Sequence, residues 1–382
     1  MLKKLFEKTK YEACILIFLL VELVAFVPPA DGMTVWQMLT YLGDYSHGYM
    51  PRAFLGEVFS WFTPTISLEL LWCVSVAVIV ILSITISLIC GQIIKKAENK
   101  SAVLSVVAVM LLSPIFMPLF SSWLGIVDIY LVALTLFAFI LNENRFLRYF
   151  IPVIMLVCVA IHHAYMFLYM VPLAIALLYD CIKNKKYIRD GIFCGITYIS
   201  LIAFALFTVT NRSASGFGSL DEMIDFMINK ADFPLNKEWL STLVPNEYFT
   251  GTDYVANTIT QMMSPANLLG IVVIFAPVFV TFAYGWIKAI KHSDKKEGKF
   301  VLFLCLIHPL SAVPAYIFGL NWNRWTSAII TSQCILYLFM LYRKNCAVSR
   351  AVNGIVKKCK KHFIVVVFYL IYCASFAKLL GI

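Results

Sequence analysis

Charge is scarce in this chain. Of its 382 residues, only 14% are Asp, Glu, Lys or Arg, against about 25% in an average soluble domain. With 61% of the residues hydrophobic, too few polar side chains remain to cover a water-soluble globule. The same balance excludes a disordered chain, which needs low hydrophobicity and high net charge. CxxC pairs are missing although there are eleven cysteines, so no zinc-type spacing exists. A P-loop, GxGxxG, GxSxG and HExxH are missing too. An ATP-driven pump or a dehydrogenase is therefore unsupported.

Long apolar runs are what the chain does have. About 20 mostly apolar residues suffice to cross the hydrocarbon core of a bilayer. Such runs fall at 12–29, 68–93, 102–120, 125–141, 149–164, 166–182, 190–210, 266–287, 300–319, 326–342 and 363–381. They predict an all-α, polytopic transmembrane helix bundle of about eleven spans, with 1–382 as a single integral membrane domain. Spans 149–164 and 166–182 are short, and 102–120 carries Pro114 and Pro118. Those three are where a re-entrant or broken helix fits best.

The formal net charge is +10, from 31 Lys plus Arg against 21 Asp plus Glu. In a soluble protein that excess would suggest a nucleic-acid partner. Here 25 of the 31 cations lie in the short segments 1–11, 94–101, 142–148, 183–189, 288–299 and 343–362. These are alternate connections between spans, and basic connections stay cytoplasmic. The expectation is an integral plasma membrane protein that contacts membrane lipids and no nucleic acid. Its N-terminus would be cytoplasmic and its C-terminus extracytoplasmic. The opening MLKKLFEKTK and the apolar run after it look like a signal peptide. The run ends in VPPADG with no A-x-A site, so an uncleaved first span is expected.

Two outer loops are large, at 30–67 and 211–265, and neither contains cysteine. Both predict amphipathic helices at the membrane surface. Val35, Met38, Leu39 and Leu42 share one helical face, as do Leu220, Met223, Ile224, Met227 and Ile228. Capping the bundle would be function enough for such loops.

Ionisable groups at membrane depth are expensive and mark function. Asp44, His47, Arg52 and Glu57 lie in the first outer loop, and Asp128 begins span four at its outer end. His162 and His163 occupy the outer turn between spans five and six, and Asn321, Asn323 and Arg324 the turn between spans nine and ten. Glu22 and His308 lie inside spans. Asp44, Arg52, Asp128, His162 and Arg324 are thus expected to ring one cavity opening outward. The alternative is that helix ends are simply more polar than helix centres.

Within GDYSHGYMPRAFLGEV (43–58), the glycines and Pro51 predict a turn and a helix running from Arg52. A carboxylate at Asp44 can take a proton from a hydroxyl. The Arg52 guanidinium can hold a phosphate through two parallel hydrogen bonds. A turn-stabilising Asp44 and a headgroup-binding Arg52 are the plain alternatives. In AIHHAYMFLYMVP (160–172), adjacent histidines on a helix point about 100° apart and do not share one metal ion. Hydrogen bonding to a phosphate or sugar competes there with interfacial anchoring. In GLNWNRWTS (319–327), Trp322 and Trp325 fit an aromatic belt, while Arg324 is the only cation of the turn, and Asp128 has either Arg324 or Arg52 open to it as a partner.

These pieces and the topology resemble the GT-C superfamily of polytopic glycosyltransferases and their bacterial envelope relatives. The shared features are the number of spans, a long first outer loop with amphipathic helices and an acidic residue, and the segments DYSHGYMPRAFLGE, IHHAYMFLYMVP and NWNRW. Related proteins often carry HE and DxGR where this chain has His162-His163 and Asn321-Trp322-Asn323-Arg324. The resemblance implies sugar transfer from a polyprenyl-phosphate-linked donor to a glycan or lipid acceptor at the extracytoplasmic face, in cell-surface glycan synthesis. Asp44 would be the base, with Asp31 as second choice. Arg52, Arg324, His162 and His163 would bind the lipid phosphate, supported by Asp128, Glu57 and Asn321. It implies no organic cofactor and leaves a divalent metal open. A Wzy-type polysaccharide polymerase or ligase would rely more on the arginines. A transporter or lipid flippase would draw on Glu22, His308-Pro309 and the Pro114/Pro118 helix, and a membrane acyltransferase on a histidine base.

Overall fold

The computed structural model describes residues 2–33, 35–111, 117–185, 187–210, 216–238, 240–241, 265–318, 322–364 and 367–368. Among them the regular structure is helical, and the one β-type pairing is an isolated parallel bridge between Ile66 and Ala231. The helices are α1 (Leu2–Phe26), α2 (Val35–Leu42), α3 (Phe54–Ser60), α4 (Leu68–Lys96), α5 (Lys100–Leu111) and α6 (Met117–Ser122). Then come α7 (Asp128–Leu141), α8 (Ile151–Ile161), α9 (Tyr165–Leu168), α10 (Met170–Asn184), α11 (Tyr187–Thr210) and α12 (Leu220–Lys230). The last are α13 (Pro265–His292), α14 (Lys296–Ile307), α15 (Val313–Phe318), α16 (Trp322–Tyr342) and α17 (Cys346–Lys361).

Four helical stretches among the described residues are long and apolar enough to cross a membrane: Leu68–Lys96, Asp190–Phe207, Lys296–Ile317 and Arg324–Tyr342. Two shorter apolar stretches are Asp128–Leu141 and Leu147–Ile161. Asn321, Pro114 and most of the 363–381 and 211–265 segments fall outside the described residues. α4 shows how the sequence builds such an element. Ser67 caps it by accepting from the Leu70 N–H, Glu69 sits in its first turn, and Lys95 and Lys96 close its last.

Burial separates the centre of the bundle from its rim. The apolar window of α16 is 94% buried, that of α11 only 22%. α16 is therefore the core helix. α11 turns Ile192, Ile196, Ile199 and Leu206 outward, toward the hydrocarbon that an apolar rim requires. At one end of α16, Arg343 holds Asp180 at 2.5 Å and Glu143 at 2.9 Å, and Asn142 donates to Asp180 at 2.7 Å. This network ties the ends of α7, α10 and α16 together.

One expected turn forms and one expected span, 300–319, is interrupted. α8 stops at Ile161, where His162 turns extended, and the chain restarts through α9 and α10. α14 stops at Ile307, and a 3-10 turn over His308–Ala312, with Pro309 lacking its N–H, leads into α15. The turn and the interruption face each other. Ser311 donates to the Phe167 carbonyl at 2.7 Å and Ser332 of α16 to the Leu168 carbonyl at 2.9 Å. Carbonyls freed by a break inside a membrane need such partners.

Both surface helices form. Met38, Leu39 and Leu42 of α2 and Met223, Ile224 and Met227 of α12 are buried. The helix expected to run from Arg52 begins instead at Phe54. Arg52 adopts φ 63°, a left-handed conformation that no helix interior contains. α3 then lies hard against the end of α2. A Cβ on Gly56 would fall 1.8 Å from the Gly43 carbonyl oxygen and 2.6 Å from that of Tyr41. Gly56→Ala is expected to destabilise the detergent-purified protein by about 3 kcal/mol. Gly191→Ala, with nothing within 4 Å of the added carbon, should not. Equal thermal unfolding of the two variants would contradict this packing.

Candidate functional site

The segment after α2 supplies Asp44. One carboxylate oxygen accepts from the Ser46 backbone N–H at 2.9 Å and from its hydroxyl. The other pairs with Lys230 Nζ at 2.5 Å, and both side chains are buried. Burial alone would raise the Asp44 pKa, but the bonds from Lys230 and Ser46 outweigh it and hold the carboxyl below its ordinary value. Asp44 is thus ionised at neutral pH.

Lys230 is the last residue of α12, so this pair staples the two large loops together. The staple has further points. The Ile66 N–H donates to the Lys230 carbonyl at 2.8 Å and the Asp232 N–H to the Ile66 carbonyl at 2.9 Å. The His47 ring stacks on Phe217 and meets Phe226 edge-on. Glu57 braces the loop from α3, accepting from the Tyr45 N–H and from the Trp61 indole, each at 2.9 Å. Glu57 therefore positions the loop that carries Asp44.

A second group starts at Arg52. Its Nη2 lies 3.4 Å from His163 Nε2, and the rings of His163 and His162 stack at 5.1 Å. The two histidines sit in a turn, not on a helix, so they lie ring against ring and do not diverge as helical neighbours would. His162 Nδ1 accepts from the Ala164 N–H at 3.1 Å, which places the proton of the neutral ring on Nε2. His162 meets the Trp325 ring edge-on at 6.0 Å, and the Arg324 guanidinium lies 4.8 Å above that indole. Arg324 Nε pairs with Asp128 at 2.5 Å, and the Tyr169 hydroxyl donates to the other Asp128 oxygen at 3.1 Å. Asp128 occupies the first turn of α7, a favourable end for a carboxylate.

Arg52, His163, His162, Arg324 and Asp128 are therefore one continuous string of contacts from four separate parts of the chain. Asp44 and Glu57 belong to the neighbouring loop assembly, joined to Arg52 through the backbone of 45–51. Of the two partners open for Asp128, Arg324 is the one bonded to it. Asp31 sits in the 3-10 turn Ala30–Gly32, apart from either group in sequence. Among the described residues, no three His, Cys, Asp or Glu side chains gather closely enough to hold a metal ion. A small apolar cavity lies between α4, α5 and α16, lined by Ile86, Cys90, Val107, Met110 and Cys334.

Comparison with family models, curated proteins and solved structures gives no match.

Sequence reasoning missed Lys230 and Tyr169. Lys230 had a signal: it follows Met223 and Met227 at helical spacing, on the buried face of α12, where a lone cation needs an acid. Only the fold shows that the Tyr169 hydroxyl meets Asp128.

Proposed function

We propose that this protein transfers a sugar from a polyprenyl-phosphate-linked donor to the hydroxyl of a glycan or lipid acceptor at the extracytoplasmic face of the membrane. The observation that supports it best is the string of cations and histidines, Arg52, His163, His162 and Arg324, drawn to one end of an apolar bundle. Burying a phosphate or diphosphate in such surroundings requires cations. In the proposed reaction Asp44 takes the proton of the acceptor hydroxyl. The acceptor oxygen bonds to the anomeric carbon, and the bond from that carbon to the phosphate oxygen breaks. The polyprenyl phosphate leaves with the electron pair, and Arg52 and Arg324 balance its charge. For the acceptor to reach Asp44, it displaces Ser46 or Lys230.

The polymerase or ligase reading draws on one observation, that Asp44 is already engaged by Lys230. The two separate by variant: Asp44→Asn stops the first reaction, whereas the second depends on Arg52 and Arg324.

The test is reconstitution into liposomes with polyprenyl-linked sugars, following product. Wild type is expected to release polyprenyl carrier and form a glycosylated acceptor. Unchanged turnover in both Asp44→Asn and Arg324→Ala would end the proposal. Sidedness is tested with a membrane-impermeant maleimide on a background without native cysteines. Ser46→Cys should react from outside and Lys357→Cys only from inside, both positions being exposed. The reverse pattern would place the site in the cytoplasm.

A further inference from the structure

At the opposite end of the bundle from Asp44, α17 packs its apolar face, Ala347, Val348, Ala351, Val352 and Val356, against α13 and α5. Its outward face carries Lys357, Lys358, Lys360 and Lys361, all exposed. One of these makes a specific contact. Lys358 Nζ donates to the Tyr284 hydroxyl of α13 at 3.0 Å. Lys288, one turn further along α13, approaches the same residue, its Nζ 5.5 Å from the ring centre, and Lys358 Nζ lies 5.6 Å from that centre. Among the described residues, no carboxylate pairs with either lysine.

Two ammonium groups brought to one phenol concentrate positive charge at one point, which an anion placed between them would balance. The positive-inside bias explains cations on a given side, but not their convergence on one side chain. A second feature points to what the anion is attached to. Val280, Tyr284 and Ile287 follow each other at helical spacing along the exposed face of α13. They form an apolar stripe that ends at the two lysines. Beyond α17, Phe363 and Ile364 are exposed beside Lys360 and Lys361. An anion carrying a hydrocarbon chain fits this arrangement: chain along the stripe, phosphate at its end.

We infer that Tyr284, Lys288 and Lys358 form a binding site for the phosphate of an anionic membrane phospholipid, whose acyl chain lies along Val280, Tyr284 and Ile287. The hydroxyl of Tyr284 aligns the Lys358 ammonium, and Lys357, Lys360 and Lys361 surround the headgroup. The site belongs to the lipid-facing surface and is independent of the sugar-transfer reading.

The experiment uses the full chain in mixed bilayers and measures spin-labelled phosphatidylglycerol held by the protein, relative to spin-labelled phosphatidylcholine. Selectivity for the anionic lipid is expected to fall about fivefold for each lysine removed in Lys288→Gln and Lys358→Gln. Tyr284→Phe, which keeps the ring, should lower it to a lesser degree. Lys295→Gln/Lys299→Gln removes the same charge from the neighbouring connection and should leave it unchanged. Equal losses in the site and control variants would reduce the effect to general charge and overturn the site. Unchanged selectivity in Lys288→Gln/Lys358→Gln would overturn it as well. Displacement of the labelled lipid by millimolar inorganic phosphate, or by a soluble acidic peptide, would show that the lysines serve a water-soluble anion. All variants replace exposed or half-buried side chains, and matching thermal unfolding curves confirm that they are folded.

Discussion

Arg324→Ala is expected to destabilise the protein by about 3–5 kcal/mol, the penalty for leaving a buried charge without its partner. The side chains of Arg324 and Asp128 are 6% and 2% exposed. Asp128 also accepts from Tyr169, but one neutral hydroxyl does not balance a buried carboxylate. The companion Asp128→Asn/Arg324→Met, which removes both charges at similar volume, should recover most of the loss. Thermal unfolding of the four members of this cycle in detergent measures the coupling. If the two single losses simply added in the double variant, the pair would not be the buried unit described above. The result also governs how activity is read. Arg324→Lys keeps a cation near Asp128 while removing the planar guanidinium over Trp325, and so separates phosphate handling from folding better than the alanine variant does.

Asp44→Asn should lower sugar transfer by about 100- to 10,000-fold, the range that general base catalysis contributes. Asparagine keeps the shape of the side chain and an oxygen for Ser46 but leaves the buried Lys230 without its counter-charge, so transfer is compared per folded molecule, with thermal unfolding measured alongside. Lys230→Met is the more informative partner. With Lys230 in place the Asp44 carboxyl is held below the ordinary carboxylate range, and the rate should stay level as pH falls from 7 to 5. Without Lys230, burial becomes the dominant influence and raises the pKa, so the acidic decline in rate should move to higher pH. Identical pH–rate profiles for wild type and Lys230→Met would remove Asp44 as the base. Stability follows the same sign. A folded pKa below the unfolded one stabilises the native state above about pH 4, and that contribution fades as pH falls through the folded value.

Much of the frame was legible in the chain. The surface helices α2 and α12 followed from apolar residues three and four apart, and α4 from an uninterrupted apolar run with an acid at its start and lysines at its end. The helix breaks were legible in part. His308-Pro309 announces one, because proline withholds a donor. The turn after Ile161 falls where the chain places His162 and His163 between two apolar runs, and only the fold shows Ser332 taking up the Leu168 carbonyl across the bundle. The start of α3 was misplaced by two residues. Pro51 permits a helix from Arg52, but Arg52 is left-handed and the helix starts at Phe54, where Gly56 packs against Gly43 and Tyr41.

Composition and periodicity alone determined that this is a membrane protein of helices, because hydrocarbon selects on local sums of side-chain hydropathy and on helical spacing. They also drew attention to Asp44, Arg52, His162, His163 and Arg324, since charge and imidazole are rare in apolar surroundings. Only the tertiary structure decided who meets whom. Asp44 pairs with Lys230 across 186 residues and Asp128 with Arg324 across 196. A buried charge accepts whichever opposite charge the packing of distant helices delivers, and that delivery depends on the whole bundle, not on any neighbouring stretch of chain.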